Sequence, residues 1–281
     1  MEIKRSASYW ILSAVYLLAA AAGIACYAIL PFPMWLRLLL ADVLATVITF
    51  LFSLLFRNAS VYDPYWSVQP IVILVAFVVS EGLTTAKTLL LVAVVLWGLR
   101  LTANWAYTFH GMSHQDWRYT MLKEKTGVFY PLINFIGIHM VPTLVVYGCT
   151  LPAAYLMQSS AAFAPLGLVG LAVSLFAVVL QGCADVQMHR YRKNRTTAFI
   201  REGLWKYSRH PNYLAEILMW WGVAAFTVAT LGFRWYFLVG AIANTLLFLC
   251  VSIPLADGRQ SKKEGFAEYR AQTRMLLPFK K

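Results

Sequence analysis

Eight nearly unbroken apolar runs punctuate this chain, near residues 9–30, 35–56, 65–81, 85–106, 130–156, 164–185, 212–231 and 233–254. Each is close to or above the roughly 17 residues a helix needs to cross a hydrocarbon core. Lipid offers no partner for backbone N–H and C=O groups, so runs of this kind fold as helices that satisfy their own backbone. The pattern predicts an all-α, polytopic membrane helix bundle of about eight transmembrane helices, with 1–281 as a single integral membrane domain. The first run follows only Lys4 and Arg5 and is too long for the apolar core of a signal peptide, so it is expected to remain as the first helix.

Charge orients the bundle. Of the 24 Lys and Arg residues, 20 fall at the start, near 57–64, 107–129 and 186–211, and in the tail from 255. With eight spans these segments share one face, and basic residues gather in cytoplasmic loops. Both termini are therefore expected in the cytoplasm. Composition agrees: 60% hydrophobic residues, 13% charged residues and a mean hydropathy of +0.64 exclude an ordinary water-soluble globule. The net charge of +12 resides in those loops. It calls for membrane lipids or an anionic cofactor as partners, and no nucleic-acid module accompanies it. Cys26, Cys149, Cys183 and Cys250 show no metal-ligand spacing and read as small buried apolar residues, so no metal is expected.

Chemistry concentrates in Gln181–Glu216, which crowds basic residues between two apolar runs. Helical spacing puts Gln181, Asp185, Met188 and Arg192 on one face, where a carboxylate and a guanidinium suit a ribose and a phosphate, or a plain helix-end salt bridge. Pro211 suits a first helical turn, and the free N–H groups there, with Arg209 and His210 beside them, make an anion site. Asn212 and Glu216 follow on one face about a turn into the membrane, where an unpartnered carboxylate would be expensive.

The motif Gly203-Leu204-Trp205, Tyr207, Arg209-His210-Pro211-Asn212-Tyr213 and Glu216, then Trp220-Trp221-Gly222, resembles the C-terminal domain of the steroid 5α-reductase superfamily, in its bacterial branch of multi-span proteins. Arg259, Lys263, Phe266, Tyr269 and Pro278 resemble its closing motif, and Asn58–Ser67 resembles the bacterial branch alone. The resemblance implies a reductase binding NADPH at its cytoplasmic side, with helices of 1–156 facing substrate and 157–281 binding cofactor. It implies that Gln181, Asp185, Arg192, Asn212, Arg259 and Tyr269 contact the cofactor, joined by Arg209, His210, Tyr213 and Glu216 from the anion-site reading. The expected location is the bacterial inner membrane.

Steroid reductases polarise an enone with an early Gln-Glu pair and a later Tyr; this chain has Gln69-Pro70 and Trp97-Gly98-Leu99-Arg100 instead. Little turnover of steroids is expected. The replacement proton donor is sought among Asp42, Tyr62, Asp63 and Tyr65, since a phenol or a buried neutral acid can protonate an enolate; Asp42 also reads as a structural hydrogen-bond partner of Arg100 or of a neighbouring helix. The expected function is NAD(P)H-dependent reduction of a conjugated double bond in a lipophilic substrate drawn from the bilayer. Two alternatives stay open. Membrane methyltransferases of the isoprenylcysteine and phospholipid types carry a similar Arg-His-Pro-x-Tyr and a later Glu, and bind S-adenosylmethionine. Hydropathy alone also suits a transporter or a non-catalytic membrane protein.

Overall fold

A computed structural model describes residues 4–278. The helices are α1 (Arg5–Ile29), α2 (Met34–Leu55), α3 (Tyr65–Glu81), α4 (Thr85–Thr108), α5 (Trp117–Thr126), α6 (Tyr130–Ile133), α7 (Val141–Gln158), α8 (Gly167–Lys193), α9 (Pro211–Leu231), α10 (Tyr236–Leu247), α11 (Ile253–Gln260) and α12 (Phe266–Gln272). Among the described residues the only extended pairing is an isolated bridge between Ser208 and Arg274. Among the described residues, eight helical stretches are long and apolar enough to cross a membrane, as the apolar runs predict.

Two boundaries differ from expectation. The segment 107–129, read as a loop, contains α5, and helix continues from Trp117 through to Gln158. Its composition is polar, so hydropathy alone does not announce it. The sixth span likewise runs on to Lys193. Two π-helical segments, Asn134–Met140 and Phe248–Ser252, each precede a proline, Pro142 and Pro254. A proline has no N–H to give the preceding turn and crowds its carbonyl, and local overwinding or underwinding absorbs the mismatch.

The core lies among α3, α4, α7, α8, α9 and α10, where Leu74, Leu90, Trp97, Met157, Trp220 and Phe226 are fully buried. Large apolar side chains such as Leu17, Ile24, Val79, Phe176 and Val179 face outward, as lipid contact demands. Small residues draw the central helices together. A Cβ on Gly222 would meet Ser174 Oγ at 2.3 Å and Gly170 O at 2.7 Å, and one on Gly240 would meet the Gly148 backbone at 2.0 Å. Such stripes let helix backbones approach closely in lipid, where no hydrophobic drive holds them. The α8–α9 approach brings Gln181 to Glu216.

The basic loops are tied together at one end. The Arg5 guanidinium donates to Ala106 O at 2.9 Å, Asn58 Nδ2 to Met112 O at 2.7 Å, and Tyr269 Oη to Trp205 O at 2.5 Å, while Arg259 lies 4.3 Å from the Trp117 ring centre. The segments on which orientation rests thus share one face. The outermost residues of both termini, expected on that face, lie outside the described residues.

Candidate functional site

In the amino-terminal half, α1 packs against α2 and leaves a cavity of about 250 Å³ lined from α1, α2 and α3 alone. Its wall is largely apolar, reached also by Tyr16, Tyr27 and Ser80, and one place carries a bonded polar cluster. There Tyr65 Oη donates to Asp42 Oδ1 at 2.7 Å and Gln69 Nε2 donates to Asp42 Oδ2 at 2.5 Å. Asp42 is 4% exposed, and Gln69 Oε1 has no partner. An ionised carboxylate has about four acceptor positions, and this one receives two donors from side chains. Of the two structural partners expected for Asp42, it is the neighbouring helix α3, through Tyr65 and Gln69, and not Arg100 that holds it.

Of the other proposed donors, Tyr62 stacks on Tyr65 with ring centres 5.1 Å apart, and its hydroxyl pairs with Thr143 Oγ1 at 2.7 Å. It also packs on the buried His139, with ring centres 4.7 Å apart. Asp63 stands apart and accepts from Tyr119 Oη at 2.7 Å. Asp42 and Tyr65 line the cavity; Tyr62 and Asp63 do not.

Between the two halves, α4, α8 and α9 build a polar ladder. Trp97, Arg100 and Asn104 lie on one face of α4, opposite Gln181, Asp185 and His189 at four-residue steps on α8. Arg100 donates to Asp185 Oδ2. His189 Nε2 and Asn104 Oδ1 are 2.7 Å apart. At the inner end Glu216, 3% exposed, accepts from Trp97 Nε1, Gln181 Nε2 and Trp220 Nε1, each at 2.9 Å. Glu216 therefore faces the protein interior, as expected. Its partners are not Asn212, however, because four-residue spacing puts both residues on one helix face while the indoles of α4 and α9 reach the carboxylate first. Nor does Asp185 pair with Arg192: Arg192 is exposed at the helix end, and Arg100 crosses from α4. Polar residues at steps of three and four along α4 were the available signal for Arg100 and Asn104; the partner helix was not visible without the fold.

The Pro211 helix start is where the sequence places it, with His210 as the preceding residue. Its basic neighbours are engaged. Arg209 Nη2 donates to Asp257 Oδ2 at 3.0 Å and Nη1 to Thr273 O at 2.6 Å, while His210 Nε2 meets Asp257 Oδ1 at 2.9 Å. His210 stacks on Tyr213 at 5.2 Å. This clamp fastens the tail beneath the helix start, and Asp257, a carboxylate within a basic tail, is the residue that sequence reasoning missed. Burial raises the Tyr269 phenol above its ordinary range, in keeping with its hydroxyl being held against Trp205 O.

Beside the clamp, cations collect. Lys263 is held below the usual ammonium range by burial and then by the charges of Arg195 and Arg259. Asn212 Oδ1 and Gln181 Oε1 are buried without partners. These are the groups left to hold a polar cofactor; Arg209, His210 and Asp185 are already paired.

A family model described as a protein of unknown function, DUF1295, matches residues 49–273. The chain belongs to this family. The match spans the cavity's α3 wall, the ladder and the clamp. An uncharacterised protein of Schizosaccharomyces pombe, C594.04c, is 27% identical over 244 residues, covering 76% of this chain and 67% of its own length. No solved structure matches.

Proposed function

We propose that this DUF1295 protein is a membrane-embedded, NAD(P)H-dependent reductase of the steroid 5α-reductase type, acting on a conjugated double bond in a lipophilic molecule that enters from the bilayer; a bacterial inner membrane is the setting this reading favours. The observation that carries it is the apolar cavity with one polar wall, Asp42–Tyr65–Gln69. A substrate carbonyl at that wall would be protonated by Tyr65 Oη once its single hydrogen turns from Asp42 to the substrate, with a protonated Asp42 donating to the phenol oxygen in its place and Gln69 fixing Asp42. The apolar remainder would exclude water. NADPH would supply the hydride. Arg192, Arg195, Arg259 and Lys263 suit its phosphates, and the open acceptors of Asn212 and Gln181 suit donors on its sugar and amide. Trp66 and Trp97 pack 6.3 Å apart, and Trp97 bonds Glu216.

A second reading rests on the clamp. Arg209 and His210 are committed to Asp257 instead of lying open to phosphate, which favours a cofactor without phosphates, S-adenosylmethionine, and hence a methyltransferase. Calorimetry on the purified protein in detergent separates the two. Saturable NADPH binding, weakened about tenfold by Arg192→Ala as loss of a charge-assisted contact predicts, supports the reductase. Binding of S-adenosylmethionine alone supports the methyltransferase, and binding of neither overturns both.

A further inference from the structure

A second, smaller pocket of about 120 Å³ lies at the basic end of the bundle, bounded by the end of α2, the turn after it, α5 and the start of the fifth span. Ser53, Arg57, Asn58, Lys123, Tyr130 and Asn134 line it. It is far larger than the roughly 10–15 Å³ one ordered water requires. It shares no lining residue with the Asp42 cavity and belongs to neither the ladder nor the clamp.

Three features of its lining point to a ligand. Two cations, Arg57 and Lys123, stand at its rim, and no acid lines it. Asn134 is 2% exposed, spends its amide N–H on Ser53 Oγ at 3.2 Å, and leaves Oδ1 without a partner; the buried Tyr130 hydroxyl has none either. An orphaned acceptor in a buried wall is disfavoured unless something fills it. Asn58, in contrast, is fully used, since its amide serves Met112 O and His114 O and its oxygen takes Ser60 N–H.

The backbone adds to this. Arg57 is the sole non-glycine among the described residues with positive φ, at +52°. Its N–H bonds Leu54 O and the Asn58 N–H bonds Ser53 O, which closes α2 in the manner that ordinarily takes glycine. A long cationic side chain at that position is conformationally unfavourable and is retained where its charge is useful.

We propose that this pocket binds a phosphate ester carrying a neighbouring hydroxyl or ammonium hydrogen, with Arg57, Lys123 and the Tyr130 hydroxyl on the phosphate and Asn134 Oδ1 accepting from the neighbouring group. Such a ligand is either an anionic phospholipid headgroup or a free phosphate monoester. The basic end faces the leaflet or the solution in which either is met.

The test uses the full chain in detergent, with thermal shift and native mass spectrometry. The probes are phosphatidylglycerol, which has the donor hydroxyl; phosphatidylcholine, whose quaternary ammonium has none; and glycerol 3-phosphate. Arg57→Gly removes the cation while relieving the backbone, so it is expected to fold at least as well as the parent, and Lys123→Gln alters an exposed side chain. We expect phosphatidylglycerol to bind about tenfold more tightly than phosphatidylcholine, and both variants to weaken it about tenfold. Competition by glycerol 3-phosphate assigns the site to the headgroup chemistry alone, and retention of lipid against it assigns the site to lipid. Equal binding of the two lipids with no effect of glycerol 3-phosphate, or unchanged binding in both variants, overturns the proposal.

Discussion

Asp42 and Glu216 are both buried carboxylates in membrane-spanning helices, and their surroundings differ. Glu216 receives three N–H donors from two helices beyond its own and from α9 itself, in the densest part of the bundle. Asp42 receives two, and borders an apolar cavity. A carboxylate whose acceptors are filled by buried indoles locks helices together. One with spare acceptor positions beside open space remains free to act on a guest. On the proposed reading, the same expensive residue type serves structure at Glu216 and chemistry at Asp42.

The comparison breaks most readily at Glu216. Glu216→Ala strands three buried N–H groups and should cost on the order of 4 kcal/mol, seen as a large loss of melting temperature or of folded protein in detergent. A near-neutral result would mean that the ladder does not hold α4, α8 and α9 together. Asp257→Ala leaves the Arg209 charge buried without its acid and should cost about 3 kcal/mol, felt first at the tail. Limited proteolysis should then cut within residues 261–278 in the variant well before the parent, and equal cleavage rates would remove the clamp from the account. Gly222→Ala forces the α8 and α9 backbones apart and should cost about 1–3 kcal/mol, with the loss falling on thermal stability. Asp42→Asn sharpens the contrast from the other side. It keeps shape and one acceptor, so melting should change by no more than about 1 kcal/mol while turnover of a lipophilic enone falls by at least about a hundredfold. If Asp42→Asn unfolds the protein as Glu216→Ala does, the two halves do not differ as described.

Much of this was legible before folding. The apolar runs marked all eight spans because each run has to satisfy its backbone in lipid by itself, a local requirement that leaves its record in sequence. The helix start at Pro211 was legible locally too, since a proline fits a first helical turn without losing a backbone hydrogen bond. The need of Glu216 for partners was readable from its depth alone. Its actual partners were not, because they depend on which helix faces which. Arg192 looked like the mate of Asp185 along one helix, yet Arg100 reaches it from another, and Arg209 and His210 looked open until the tail brought Asp257 beneath them. The polar helix α5 escaped notice because tertiary contacts, not hydropathy, hold it.

What the sequence determined by itself is the number of membrane-spanning helices, the segregation of the basic loops and the identity of the residues too costly to leave alone, for these follow from transfer energies that each segment meets on its own. The tertiary structure alone decided the pairings. Glycine stripes bring α8 to α9, α1 leaves its gap against α2 and α3, and Arg57 and Asn134 meet across one pocket; each is a property of distances between helices, and side-chain chemistry at a buried site depends on those distances more than on any residue taken singly.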